Sequence, residues 1–255
     1  MEKIIEFSKV NKNFGSETVL KDSSFTINKG EFITILGTSG SGKTTTLKMI
    51  NRLIFPDSGS IFFKGQEIET YNPVELRRHI GYVVQQIALF PHMTVEENIS
   101  LVPRLLKWEN EKTKKRVKEL LDLIHLPYDD YAGRFPLTLS GGQQQRIGVA
   151  RALAADPDVM LFDEPFGAID AITRYDLQEE LLAIHKKYPE KTFIFITHDI
   201  QEAFKLGNRV MVMDSGKICQ FDTPRAIIKK PETEFVKRLI KTVKEEESFW
   251  GEQYD

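Results

Sequence analysis

Between Phe32 and Thr45 the chain passes from an apolar run, Phe-Ile-Thr-Ile-Leu, into Gly37-Thr-Ser-Gly-Ser-Gly-Lys43-Thr44-Thr45. A strand-length stretch that enters a glycine-rich loop and then a helix-compatible sequence fits G-x-x-x-x-G-K-[ST] in the context that gives that pattern meaning. Glycines at 37, 40 and 42 let the backbone curl so that successive N–H groups face an anion. The helix start that follows adds its partial positive charge. Lys43 supplies a cation for β- and γ-phosphates, and the Thr44 hydroxyl can ligate Mg²⁺. Gly37, Thr38, Ser39, Gly40, Ser41, Gly42, Lys43, Thr44 and Thr45 are therefore expected to hold the phosphates of a nucleotide.

Three further apolar runs, Val159–Phe162, Phe193–Ile196 and Val210–Met213, are continuous rather than alternating, as in strands buried on both faces of a parallel sheet. Helical spacing separates them: Leu47, Ile50 and Ile54; Val117, Leu120, Leu121 and Ile124; Leu177, Leu181 and Ile184. Strands alternating with helices predict an α/β fold with right-handed crossovers. Residues 3–27 and Ser60–Phe63 read as short strands of an antiparallel β lobe. Residues 87–155 carry almost no strand signal, and Thr94-Val-Glu-Glu97 reads as a capping box. The expected architecture is a single domain with a P-loop NTPase (RecA-like) α/β core over 1–85 and 157–240 and an inserted α-helical subdomain over 86–156. A last helix around Glu232–Lys244 runs into a polar tail, with 241–255 set off from the core and Phe249, Trp250 and Tyr254 among its acids.

Composition narrows the partners. The chain has 255 residues with 41% apolar and 28% charged, enough to bury a core and unlike collagenous or disordered classes. Its net charge of -2 does not suit whole-surface nucleic-acid binding. One cysteine, Cys219, makes neither an intramolecular disulfide nor a zinc cluster. No run approaches the roughly 20 apolar residues of a membrane span, and Met1–Glu6 lacks the apolar core of a signal peptide. Any membrane role is expected to pass through a partner.

Val159-Met-Leu-Phe-Asp163-Glu164 is a buried strand ending in two carboxylates. Asp163 is placed to hold Mg²⁺ through water, and Glu164 to polarise a water for attack on the γ-phosphate. Upstream, Leu139-Ser-Gly-Gly-Gln143 opens a helix, and Ser140, Gly141, Gly142 and Gln143 make a second anion nest. A second nest needs a second phosphate. A head-to-tail homodimer in which each chain completes the other's ATP site supplies it economically.

In this order the motifs resemble the nucleotide-binding subunits of ABC transporters, from about Ile4 to Ile240. The resemblance implies an ATPase that sandwiches two ATP molecules and works with transmembrane permease subunits and, indirectly, a solute-binding protein, at the cytoplasmic face of the cell membrane. Phe14 matches the adenine-stacking aromatic, where tyrosine is usual; an aromatic face is kept. Gln85 matches the Q-loop glutamine, which would sense Mg²⁺ and γ-phosphate. Residues 139–143 match the signature and Asp163–Glu164 the Walker B pair. Phe166-Gly-Ala-Ile-Asp170 departs from the usual D-loop wording but keeps Asp170, and His198 matches the switch histidine. Catalysis is thus expected of Glu164, His198, Lys43 and Gln85, with Mg²⁺ at Thr44, Gln85 and Asp163.

Glu75–Thr94, Asn51–Ile54, Leu101–Trp108 and Gln143–Gly148 are similar to ATPase subunits of osmoprotectant importers, which take up quaternary amines such as glycine betaine, carnitine and choline. Those segments read the partner rather than the solute, so another imported solute and an exporter role stay open. Many subunits of that group carry a C-terminal CBS-domain pair. With only the short stretch 241–255 beyond the core, that module is expected to be absent. A soluble ABC ATPase acting on nucleic acid or ribosomes is the alternative from another class. The chain has no sustained heptads between its phosphate loop and Asp163, no cysteine-rich module and one cassette, which disfavour it.

Overall fold

The computed structural model describes residues 2–85, 88–167 and 169–242. They divide into two compact units, Met1–Pro73 with Thr192–Asp255, and Val74–Lys191. Residues 243–255, with the tail aromatics, lie outside the described residues.

The first unit opens with β1 (Lys3–Phe14) and β2 (Glu17–Asn28), an antiparallel hairpin flanked by β4 (Ser58–Phe63) and β5 (Gln66–Glu67) in the order β2-β1-β4-β5. This is the expected antiparallel lobe, built from longer strands than the sequence suggests. Register shifts after Phe7 and Val10, with left-handed backbone at Lys9 and Asp22, let these strands bend rather than break. Phe7 stacks on Phe25 with ring centroids 4.4 Å apart. β3 (Phe32–Gly37) is buried along its whole length and feeds α1 (Lys43–Ile50). Ile54, which shares the helical spacing, falls beyond α1, because Asn51 caps the helix and Arg52 turns to a φ of 52°.

The second unit holds α2 (Pro73–Arg78), β6 (Ile80–Val83), α3 (Val95–Leu105), α4 (Asn110–Leu123), α5 (Tyr128–Tyr131), α6 (Gly141–Leu153), β7 (Val159–Asp163) and α7 (Ala171–Lys187). Among the described residues between Ala88 and Ala155 no strand forms, in line with the weak strand signal there. The capping box at α3 is present: Thr94 Oγ1 accepts from the Glu97 amide, and Glu97 accepts from the Thr94 amide at 2.7 Å. Buried Asn98 then ties the preceding loop to the helix through Phe90, Met93 and Thr94 carbonyls. Val117, Leu120 and Leu121 are buried on α4, and Leu177, Leu181 and Ile184 on α7, as their spacing predicts. Arg146 of α6 pairs with Glu180 of α7 at 2.5 Å, although burial outweighs that pairing and pushes the Glu180 carboxyl up.

β6 and β7 pair in parallel. The sequence reading did not assign β6; a four-residue run beside arginines and a histidine gives little periodicity to detect.

The chain returns to the first unit with β8 (Thr192–Thr197), α8 (Ile200–Leu206), β9 (Arg209–Asp214), β10 (Lys217–Asp222) and α9 (Pro224–Lys229). β3 lies between β8 and β9, parallel to both, and β10 pairs antiparallel with β9. Leu36, Ala203, Val210, Val212, Ile227 and Val236 form one buried cluster that anchors the helix running from 234 to the last described residue. That helix starts two residues later than expected, because Thr233 Oγ1 caps the Val236 amide and Gln220 holds the Glu232 amide.

Candidate ATP-binding and hydrolysis residues

In the first unit the phosphate loop is built by two close approaches. Gly42 has a φ of 99°, and a Cβ there would stand 2.7 Å from the Val19 carbonyl oxygen of β2. A Cβ on Gly37 would stand 2.3 Å from the Met213 carbonyl oxygen of β9. Only glycine fits either point without moving backbone. Lys43 is almost fully buried, and its ammonium donates to the Gly37 and Thr38 carbonyls, each at 2.9 Å. These two carbonyls are neutral acceptors that a phosphate can replace. Ser41 is 1% exposed, and its hydroxyl has no hydrogen-bond partner among the described residues, a further polar group inside the loop.

Thr44 and Thr45 are half-buried on the first turn of α1, with the Thr46 hydroxyl turned back onto the Gly42 carbonyl. Thr38, Ser39 and Gly40 are exposed at the loop's outer edge.

His198 is exposed one residue beyond β8, and Phe14 stands 49% exposed at the hairpin end, with the Lys12 ammonium 5.2 Å from its ring centroid. The same hairpin supplies Val19 against Gly42.

In the second unit β7 delivers Asp163, 9% exposed, and Glu164, half-buried with a left-handed φ of 46°. Gln85 is exposed, and a Cβ placed on Gly167 would lie 3.8 Å from its Nε2, so these two residues adjoin.

Ser140 caps α6 in a reciprocal pair: its Oγ accepts from the Gln143 amide at 3.3 Å, and its own amide donates to Gln143 Oε1 at 3.0 Å. The nest is thus self-satisfied, and an incoming phosphate would have to displace the Gln143 side chain from the Ser140 amide. A Cβ on Gly142 would sit 2.7 Å from Thr173 Cγ2, and Thr173 is capped by Asp170 Oδ1 at 3.0 Å. The signature and Asp170 are therefore neighbours.

That N–H bond holds the Asp170 carboxyl below its ordinary range. Gly141 lies on the open side of the helix start, where an added Cβ would meet no heavy atom within 4 Å.

The structure adds Tyr82, to which the sequence reading gave no role. Its hydroxyl donates to Asp163 Oδ2 at 3.0 Å. Burial first, then the Asp163 charge, pushes its ionisation far above the usual phenol range, so it is always a donor. The available signal was a tyrosine inside the apolar run Ile80–Val83, whose hydroxyl needs a partner once covered.

Thr44, Gln85 and Asp163 offer hydroxyl, amide and carboxylate oxygens, the donor type that Mg²⁺ prefers. Among the described residues no group of three or more His, Cys, Asp or Glu could hold a metal by itself.

A phosphate loop at the end of β3 and a carboxylate pair at the end of β7 are the features of a P-loop NTPase. The family described as ABC transporter matches residues 20–167, and the chain belongs to it. The glycine betaine/carnitine/choline transport ATP-binding protein OpuCA of Bacillus subtilis is 54% identical over 94% of this chain and 62% of its own length. The glycine betaine uptake system ATP-binding protein YehX of Escherichia coli is 48% identical over 93% of this chain and 76% of its own. Among solved structures, the dimeric ATP-binding cassette MJ0796, bound to ADP and Pi, matches with a TM-score of 0.75 and 33% identity, over 86% of this chain and 98% of that one. The chain spans about three fifths of the length of the first curated relatives it matches.

Proposed function

We propose that this chain is the ATP-hydrolysing subunit of an importer for osmoprotectant quaternary amines such as glycine betaine, carnitine and choline. The observation that carries the ATPase half is the buried Lys43 ammonium, held over the phosphate loop by carbonyls that a phosphate can replace. The solute class is supported by the names of OpuCA and YehX, at about half identity over nearly the whole chain.

In this reading Phe14 stacks the adenine, the loop amides from Gly37 to Thr45 and Lys43 hold the phosphates, and His198 reaches the γ-phosphate. Thr44, Gln85 and Asp163 hold Mg²⁺, which when bound neutralises phosphate charge. Glu164 accepts the proton of the attacking water. Ser140, Gly141, Gly142, Gln143 and Asp170 come from a second copy in a head-to-tail homodimer. ATP binding favours the closed dimer, and loss of the γ-phosphate bridge lets it open.

Among the described residues no helix is long and apolar enough to cross a membrane. Permease subunits at the inner face of the cell membrane supply the path, and a solute-binding protein the cargo. The catalytic core is assigned to 1–85 and 157–240, and the helical signature region to 86–156.

The test is uptake of labelled glycine betaine in cells that lack their own importers, with this chain and its neighbouring permease and solute-binding genes restored. Uptake that depends on this chain and is abolished by Lys43→Ala is expected. ATP hydrolysis that rises with a different solute would overturn the substrate, and absence of ATP hydrolysis would overturn the whole reading.

A further inference from the structure

Tyr82 stands opposite Leu161 in the parallel pairing of β6 with β7. Side chains alternate faces along a strand, so Asp163, two residues past Leu161, shares a face with Leu161 and with Tyr82 across the ladder. Tyrosine is long enough to span that diagonal, and its hydroxyl reaches Asp163 Oδ2 at 3.0 Å. A carboxylate only 9% exposed at a strand end needs donors. A hydroxyl-to-carboxylate bond is among the stronger ones available. The bond engages Oδ2 and so restrains how the carboxyl can turn, and with it the direction of Oδ1.

We propose that Tyr82 is a positioning residue for magnesium: it orients the Asp163 carboxylate in the geometry that the divalent cation requires. This rests on the assignment of Asp163 to the metal made above. Mg²⁺ and the waters it keeps demand near-ideal octahedral geometry, so a carboxylate that accepts from a metal-bound water holds the ion better when its plane is restrained. Phenylalanine at 82 keeps the ring and removes only the donor.

The experiment titrates the chain, loaded with the imidodiphosphate analogue of ATP, with Mn²⁺ and follows free Mn²⁺ by electron paramagnetic resonance. Tyr82→Phe is expected to weaken Mn²⁺ binding about tenfold, equivalent to about 1.4 kcal/mol, with affinity for the metal-free nucleotide unchanged. A 4-aminophenylalanine at position 82, which returns an N–H donor, is expected to restore the affinity. Unchanged Mn²⁺ affinity in Tyr82→Phe overturns the proposal. Asp163→Asn separates the two readings. If it binds Mn²⁺ as the wild type does, the metal role of Asp163 falls and the proposal with it. If it loses Mn²⁺ while Tyr82→Phe does not, only the role of Tyr82 falls. Should Tyr82→Phe fold poorly, 4-methylphenylalanine against 4-aminophenylalanine at the same position gives the same comparison in equal volumes.

Discussion

Leu36 of β3 stands opposite Thr197 of β8 in parallel register, so Gly37 and His198 leave the sheet side by side. Residues that enter loops at the carboxyl ends of adjacent parallel strands converge on the same crevice, which is where α/β folds place ligands. The phosphate loop and the histidine expected to sense the γ-phosphate are brought together by strand pairing alone, although most of the chain separates them.

The close approach of Gly42 to Val19 makes that glycine the most sensitive point of the loop. Gly42→Ala puts a Cβ at a φ of 99° and 2.7 Å from a backbone oxygen. We expect a stability loss of about 1–3 kcal/mol from backbone strain, read by denaturant unfolding, together with loss of nucleotide binding in a fluorescence titration. Wild-type nucleotide affinity in this variant would show that the loop does not hold the phosphates in the way described.

In the proposed site Lys43 would exchange its Gly37 and Thr38 carbonyl partners for phosphate oxygens when ATP enters. Lys43→Ala removes a charge-assisted contact of about 1.5–3 kcal/mol, so ATP should bind roughly ten- to hundredfold more weakly by isothermal titration calorimetry. AMP, which has no β- or γ-phosphate, should be affected far less. Equal losses for AMP and ATP would place Lys43 elsewhere.

Glu164 sits at a left-handed φ of 46° directly after the buried Asp163. Glu164→Gln keeps the shape and removes the base, so turnover should fall roughly 10²–10⁴-fold while ATP binding persists. With hydrolysis blocked, a closed dimer should accumulate on size-exclusion chromatography in ATP. Wild-type turnover in this variant would remove Glu164 from the role of base.

Asp170 provides a pH test of the cap on α7. The Thr173 amide holds its carboxyl below the ordinary range. A carboxyl whose folded value is lowered stabilises the fold at pH values above its unfolded range and loses that contribution as pH falls through the folded value. Asp170→Ala should therefore melt a few degrees lower at pH 7, and the difference should close below about pH 4. A gap that persists in acid would mean the carboxylate charge is not what stabilises the cap.

The capping box at Thr94 and the helix start at Ser140 were legible because each depends on residues close together in the local sequence. The phosphate loop was legible for the same reason. Tyr82 was not, since its partner lies on another strand and the bond follows from register, which a four-residue run does not specify. Nor was the end of α1: the apolar spacing runs on to Ile54, but the helix stops where Arg52 turns left-handed. Periodicity reports which face is apolar and is silent about where hydrogen bonding ends.

By itself, the sequence determined the class of chemistry. Glycines, a lysine and a threonine at that spacing after an apolar strand can do little else than hold a phosphate, because the backbone N–H groups that bind it need no distant residue to orient them. Only the tertiary structure decided which groups serve those residues. The Met213 and Val19 carbonyls crowd the loop from other strands, Thr173 packs on Gly142, and the Tyr82 hydroxyl donates to the Asp163 carboxyl. These contacts join positions far apart in the chain, and such pairings are set by how strands align and helices pack, not by the composition of any one segment.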